Sequence, residues 1–251
     1  MPTILAAAAS GLLHNQDILD TVAHNLANAN TSGFKASRAL HQGLPDAAAT
    51  AESGRLGVAV TTRDLLLTPA AVIASDSPLH AALQDDAFFV IRGDTGEPVY
   101  TRYGGFLLDG EGTLVDFAGR IVPGENGDPI RLPEGWSAAA IDSSGVLSAL
   151  DENGERQELG RIRVARFANP QALELLGDGL YQPTANSGEP QVASPGDEGF
   201  APLRPGTLES SNVDVAQEFV SMIIAQRAYS ACAKTFAIGD AMLELATRIT
   251  R

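Results

Sequence analysis

Leu5, Leu12, Leu19 and Leu26 stand seven residues apart at the start of the chain. A strict seven-residue repeat is the pattern of helices that pack along a narrow seam; a helix on a globular core shows a broader apolar face. Ala8, Ala9, Val22 and Ala23 fill the intervening turns with small or branched side chains. The spacing predicts a helix from about Ile4 to Asn28, roughly 38 Å long at ~1.5 Å per residue. It should stop at Asn28-Ala29-Asn30-Thr31-Ser32-Gly33, because Asn and Gly favour left-handed and turn geometry.

The far end repeats the pattern. Met222, Tyr229, Phe236 and Leu243 are again seven apart, with Phe219, Ile223 and Ala233 at helical spacing between them. Ser210-Ser211-Asn212 offers candidate N-caps, and Asp214 with Glu218 places acid in the first turns, where the helix dipole favours it. No proline follows Pro205, so one helix of roughly 55 Å is expected. The two helices either cover the core of one domain or form a seam. Their position at the two extremes favours the seam.

Charge sharpens that choice. The net charge is −14, yet residues 1–40 and 210–251 are each neutral. Residues 41–209 carry 25 acids against 11 arginines and so hold the whole imbalance. Neutral apolar ends suit dense packing, and an acidic centre suits water. Nucleic acid is excluded as a partner, since phosphate binding needs a basic surface. No segment is apolar for long enough to cross a bilayer, so no membrane insertion is expected. The run Ile4–Ala9 is too short, and lacks the preceding basic residues, for a cleaved general-secretion signal. Cys232 is the single cysteine, and His14, His24, His41 and His80 show no metal-ligand spacing, so no disulfide, metal or other cofactor is expected.

Between the ends the chain changes character. All 14 prolines except Pro2 lie between positions 45 and 205. Phe88–Ile91, Val99–Thr101 and Arg161–Val164 are short β-branched or aromatic runs bounded by turn residues, the signature of antiparallel strands. The predicted fold class is α+β. Residues 1–40 and 207–251 form a coiled-coil-like helical layer, residues 41–80 and 183–206 are extended connectors, and 81–182 is an inserted, mainly antiparallel β domain. A weak internal repeat, apolar-Asp-x-x-Gly-x-Leu, occurs at Leu108–Leu114 and Ile141–Leu147. Asp109 and Asp142 could be imagined as an acid–base pair. However, Asp opening a turn with Gly three residues on is ordinary turn chemistry. No nucleophile elbow, phosphate loop or zinc-protease helix is present, so neither catalysis nor a small-molecule substrate is expected.

At the ends the residues are more specific. Ala7–Leu12 and Leu19-Asp20-Thr21-Val22-Ala23-His24-Asn25-Leu26-Ala27-Asn28-Ala29-Asn30-Thr31-Ser32-Gly33-Phe34-Lys35 resemble the N-terminal signature of the flagellar rod and hook family. Gly206–Asp214, Met222-Ile223 and Gln226-Arg227-Ala228-Tyr229 resemble the matching C-terminal one. Phe88-Phe89, Tyr100-Thr101-Arg102 and Gly105-Phe106 with Asp109–Val115 are similar to the family's centre. His24, Ala36 and Cys232 depart from its usual residues.

The resemblance implies a structural subunit of the bacterial flagellar basal-body rod. Its terminal helices would pair into an inner layer, and subunits would stack helically with themselves and other rod or hook subunits to carry torque. It also implies export by the flagellar type III apparatus and a place in the periplasm-spanning rod. The expected assembly contacts are Leu5, Leu12, Leu19 and Leu26 against Met222, Tyr229, Phe236 and Leu243. Asn28, Asn30, Gly33 and Phe34 would shape the exit from the layer, while Asn212 and Arg227 belong to the C-terminal signature. Proximal and distal rod types both remain open. The alternatives are a hook-type or surface β protein and, last, a cell-wall hydrolase.

Overall fold

Helix α1 (Pro2–Ala27) carries proline in its first turn, where the missing N–H leaves no bond unmade. The computed structural model describes residues 2–44 and 57–249. Strands β1 (Ser37–Leu44) and β2 (Gly57–Leu65) follow and pair as an antiparallel hairpin, with a register shift between Leu40 and His41. The connector reading of 41–80 did not anticipate this hairpin; residues 45–56 of that stretch lie outside the described residues.

The strands continue with β3 (Val72–Ala74), β4 (Ala81–Ala82), β5 (Phe88–Arg92), β6 (Pro98–Thr101), β7 (Leu107–Leu108), β8 (Leu114–Val115) and β9 (Ser137–Ile141). Then come β10 (Val146–Leu150), β11 (Arg156–Arg161), β12 (Val164–Arg166), β13 (Glu174–Gly177) and β14 (Leu180–Gln182). The last three strands are β15 (Gln191–Ala193), β16 (Arg204–Pro205) and β17 (Thr207–Glu209), and helix α2 (Val215–Ile249) closes the chain. At 35 residues α2 spans about 52 Å.

The cap of α2 differs from expectation. Asp214 Oδ1 accepts the backbone N–H groups of Ala216 at 3.0 Å and Gln217 at 3.1 Å, so Asp214 is the N-cap rather than Ser210, Ser211 or Asn212. A capping oxygen must reach donors two or three residues ahead, and the earlier residues stand too far back. Ser210 instead donates its backbone N–H to the Ala71 carbonyl.

Two compact units result, neither continuous in sequence. The first comprises Met1–Ala29, Ala36–Leu66 and Val213–Arg251; the second comprises Asn30–Lys35 and Leu67–Asn212. In the first, α1 and α2 pack against each other and β1 and β2 lie against α1. The helices run antiparallel: Asn25 meets Glu218 and Gly11 meets Cys232, fourteen residues back along α1 and fourteen on along α2. With all its described strand pairings antiparallel, the chain is α+β.

The second unit is built on a six-stranded sheet in the order β13-β14-β6-β5-β12-β15. Successive side chains of a strand point to opposite faces. Phe89 therefore packs edge-on against Phe106, 5.0 Å between centroids, in a core with Leu114, Val122, Leu147 and Ile162. Phe88 points the other way, to Phe167 at 5.9 Å and Tyr181 at 5.4 Å. Both faces of β5 are covered, which explains why Phe88–Ile91 is an apolar run without alternation. β15 extends this sheet from within the expected return path of 183–206.

A single turn recurs through this unit. At Asp109, Asp116, Asp142 and Asp151 the residue three positions on is a glycine at φ +76, +82, +78 and +79°, and its N–H donates back to the Asp carbonyl. Each Asp Oδ1 also accepts the N–H groups two and four residues ahead, at 2.7–2.9 Å. Gly93–Glu97 and Gly124–Asp128 close in the same way without the carboxylate. This is a type I turn completed by a left-handed bulge residue, a position where glycine costs least. Asp109 and Asp142 thus serve as turn acceptors.

A candidate assembly face and a buried charge cluster

The line buried between α1 and α2 consists of small residues. Ala8, Asn15 and Val22 on α1 are seven apart and buried. On α2 the positions seven apart are Glu218, Ala225, Cys232 and Gly239; Ala225 is 2% exposed and Cys232 is half-buried. The leucines Leu5, Leu12, Leu19 and Leu26 are half-buried, four residues on from this line. Met222 and Leu243 are half-buried too, while Tyr229 and Phe236 are exposed. The heptads are real, but the small residues beside them occupy the centre. Backbones approach closely there because Gly11 and Cys232 leave room.

Asn25 ties this unit together. Its Nδ2 donates to the Ser37 carbonyl and to Glu218 Oε1, both at 2.9 Å, and its Oδ1 accepts the Ser37 N–H at 3.0 Å. Both hydrogens and one lone pair are used, so a 2% exposed amide carries little desolvation penalty.

The outward side of α2 is apolar. Val220, Ile223, Ile224, Ile238, Met242 and Leu245 are all exposed, Ile224 to 62%, and Arg227 is exposed among them. Large apolar side chains in such a run mark an interaction surface. No helix among the described residues is long and apolar enough to cross a membrane. Nor do those residues gather three His, Cys, Asp or Glu side chains into a metal-binding group.

A different site forms inside the second unit, where Lys35, Arg102 and Glu209 are brought together. Lys35 Nζ donates to Glu209 Oε1 at 2.6 Å and to the Thr68 carbonyl at 2.9 Å. Arg102 donates Nε and Nη2 to Glu209 Oε2, at 3.1 and 2.8 Å, and Nη1 to the Asp85 and Ala87 carbonyls. The Ala70 N–H adds a bond to Oε1 at 3.2 Å. The three side chains are 0, 5 and 3% exposed. Burial pushes the Glu209 carboxyl up, but Arg102, then Lys35 and the Ala70 N–H, hold it below its ordinary value. Burial and the nearby Arg102 charge lower Lys35, with Glu209 opposing.

Of the four predicted exit residues, Gly33 and Phe34 lie just before Lys35 of this cluster. Gly33 is buried at φ +72°; its N–H donates to the Glu209 carbonyl at 2.7 Å, and a Cβ there would meet the Tyr103 backbone at 2.8 Å. Phe34 is buried beside it, and Asn30 is exposed. Asn212 Nδ2 donates to Thr68 Oγ1 at 2.9 Å. Asn28 lies at the end of α1, where its Nδ2 donates to the His24 carbonyl. Lys35, Arg102 and Glu209 each lie within one of the family-like stretches of the sequence, yet nothing in their spacing joins them. Separations of 174 and 107 residues leave no periodic signal to find.

Comparison with known proteins covers the same segments. Residues 5–35 match the family described as "Flagella basal body rod protein". Residues 82–149 match "Flagellar hook protein FlgE/F/G D1 domain", and 204–249 match "Flagellar basal body rod FlgEFG protein C-terminal". The chain is similar to the flagellar basal-body rod protein FlgG of Bacillus subtilis, 36% identical over 98% of both chains. It is 34% identical to that of Borreliella burgdorferi over the full length of both. The hook protein FlgE of Borreliella burgdorferi is 39% identical, but over 43% of this chain and 25% of the hook protein. Matched at both ends, in the centre and along its whole length, the chain belongs to the flagellar basal-body rod protein family.

Proposed function

We propose that this protein is a structural subunit of the bacterial flagellar basal-body rod, polymerising helically through its terminal helices to carry torque from motor to hook. The exposed apolar face of α2 carries the reading: Ile223, Ile224 and Ile238 stand in water in the single chain and gain burial only from neighbours. On this reading α1 and α2 contribute to a coiled-coil-like inner layer, with Leu5, Leu12, Leu19, Leu26, Met222, Tyr229, Phe236 and Leu243 at contacts between helices. Asn28, Asn30, Gly33, Phe34, Asn212 and Arg227 shape the chain around them. The acidic residues 41–209 keep unassembled subunits apart by repulsion.

Its partners are further copies, other rod and hook subunits and the flagellar export apparatus. Its place is the periplasm-spanning rod, and its work needs no catalysis. Support comes from rod-protein relatives that match end to end, whereas the hook-protein match spans a quarter of that protein.

Replacing Ile224 by Asp is the direct test. Ile224 is 62% exposed, so the subunit should melt as before while rods fail to form in sedimentation and electron microscopy. Leu19→Asp is less clean, because half-buried Leu19 also adjoins the helix pair of the single chain. Normal rods and motility in Ile224→Asp cells would refute the reading.

A further inference from the structure

We propose that Glu209 is a latch that makes docking of the N-terminal segment Asn30–Lys35 conditional on the arrival of strand β17. Lys35, Arg102 and Glu209 come from the beginning, middle and end of the chain, and the single carboxylate satisfies both cations. The same residue accepts the Gly33 N–H through its backbone carbonyl, so side chain and main chain of Glu209 hold the segment together.

Consider the unit before β17 has paired with β3. Arg102 keeps its bonds to the Asp85 and Ala87 carbonyls, which fix the guanidinium in place. Docking Lys35 would then bury a second cation beside it, with the Thr68 carbonyl as its one remaining acceptor from this set. Neither Asp85 nor Asp86 is a substitute. Asp85 is engaged by Arg166 at 2.6 Å and by the Ala201 N–H, and Asp86, which also faces Lys35, is exposed. Tyr181 borders the cluster from β14 and burial holds it protonated, so it brings no charge. Two like charges out of water without a counter-ion are strongly disfavoured. Segment 30–35 therefore stays undocked until Glu209 is in place.

The cluster carries one net positive charge, and this makes the latch asymmetric. Removing Lys35 leaves the matched pair Arg102–Glu209. Removing the Glu209 charge leaves two buried cations. Protonating Glu209 in acid does the same.

The test is amide hydrogen exchange on the full-length chain and on Glu209→Gln, Lys35→Met and the double variant. Glu209→Gln should speed exchange in 30–35 and 67–70 by roughly tenfold or more, with Phe88–Arg92 and Pro98–Thr101 unchanged. Lys35→Met should have a smaller effect, and the double variant should regain part of the protection lost in Glu209→Gln. Mild acid applied to the unaltered chain should open the same two segments first. Protection of 30–35 retained in Glu209→Gln overturns the latch. So does a double variant as open as Glu209→Gln, or opening of the whole unit together with 30–35 both in Glu209→Gln and in acid.

Discussion

Gly11 and Cys232 meet so closely that a Cβ on Gly11 would lie 2.9 Å from the Cys232 sulfur. The contact lies between α1 and α2, where there is no room at Gly11 for even one methyl group without a shift, and a leucine is too large. Gly11→Leu should overpack the pair and destabilise it by about 1–3 kcal/mol. Cys232→Gly in the same chain should recover part of the loss. Thermal melting followed by helical circular dichroism reads both, and a Gly11→Leu chain that melts as before would remove Gly11 from the interface.

Asn25 offers a separate handle on the same helices. Asn25→Leu keeps the volume but leaves the Ser37 N–H and carbonyl without their side-chain partner. An unmet buried polar group costs about 1–3 kcal/mol, and two share this one partner. Urea unfolding should show a midpoint lowered accordingly, with β5 and β6 keeping their amide protection.

The repeated turn predicts a graded series. Asp109→Ala removes an acceptor from the N–H groups of Glu111 and Thr113 and should cost about 1 kcal/mol. Asp116→Ala removes the same two bonds and also strips Arg120 of a 2.7 Å ion pair, with both side chains at least nine-tenths buried. Leaving that buried cation with only the exposed Asp178 carboxylate at 3.9 Å should cost about 3 kcal/mol. Equal losses at the two turns, measured by chemical denaturation, would show that the ion pair adds nothing.

Glu209 fixes the sign of a pH effect. Its folded-state carboxyl titrates below the ordinary 4.5, so the unfolded chain takes up the proton first as pH falls. The stability it contributes is complete above 4.5 and is lost as pH falls through the lower, folded value. Asp142, held low despite burial by Ser144 and the Val146 N–H, follows the same course. Lys35 runs the other way: burial lowers it, so its cost is present at neutral pH and lifts only as pH rises past the lowered value. As pH falls below 4.5 and through the lower folded value, the stability gap between the natural chain and Glu209→Gln should close. A gap independent of pH would show that the carboxylate charge is not what matters.

How much of this was legible in the sequence depended on the range of the interactions. The heptads at Leu5–Leu26 and Met222–Leu243 announced two helices because a helix writes its period locally. They did not reveal that Ala8, Asn15, Ala225 and Cys232 hold the centre line; in a heptad a small residue signals less than a leucine. The turns at Asp109 and Asp142 were readable from Asp and Gly alone. Those at Asp116 and Asp151 use the same rule and were missed because no leucine closes the motif. The β1–β2 hairpin was hidden by a stretch that reads as a link. Lys35, Arg102 and Glu209 could not have been grouped at all, since only the completed fold makes them neighbours.

The Asp turns have one more consequence. A turn aspartate works through a single oxygen accepting two N–H groups, and asparagine carries that oxygen without the charge. At Asp109 and Asp151 the bond to the N–H two residues ahead faces solvent, so Asn at both would remove two negative charges and leave the hairpins closed. Electrostatic repulsion between copies can therefore be tuned independently of folding.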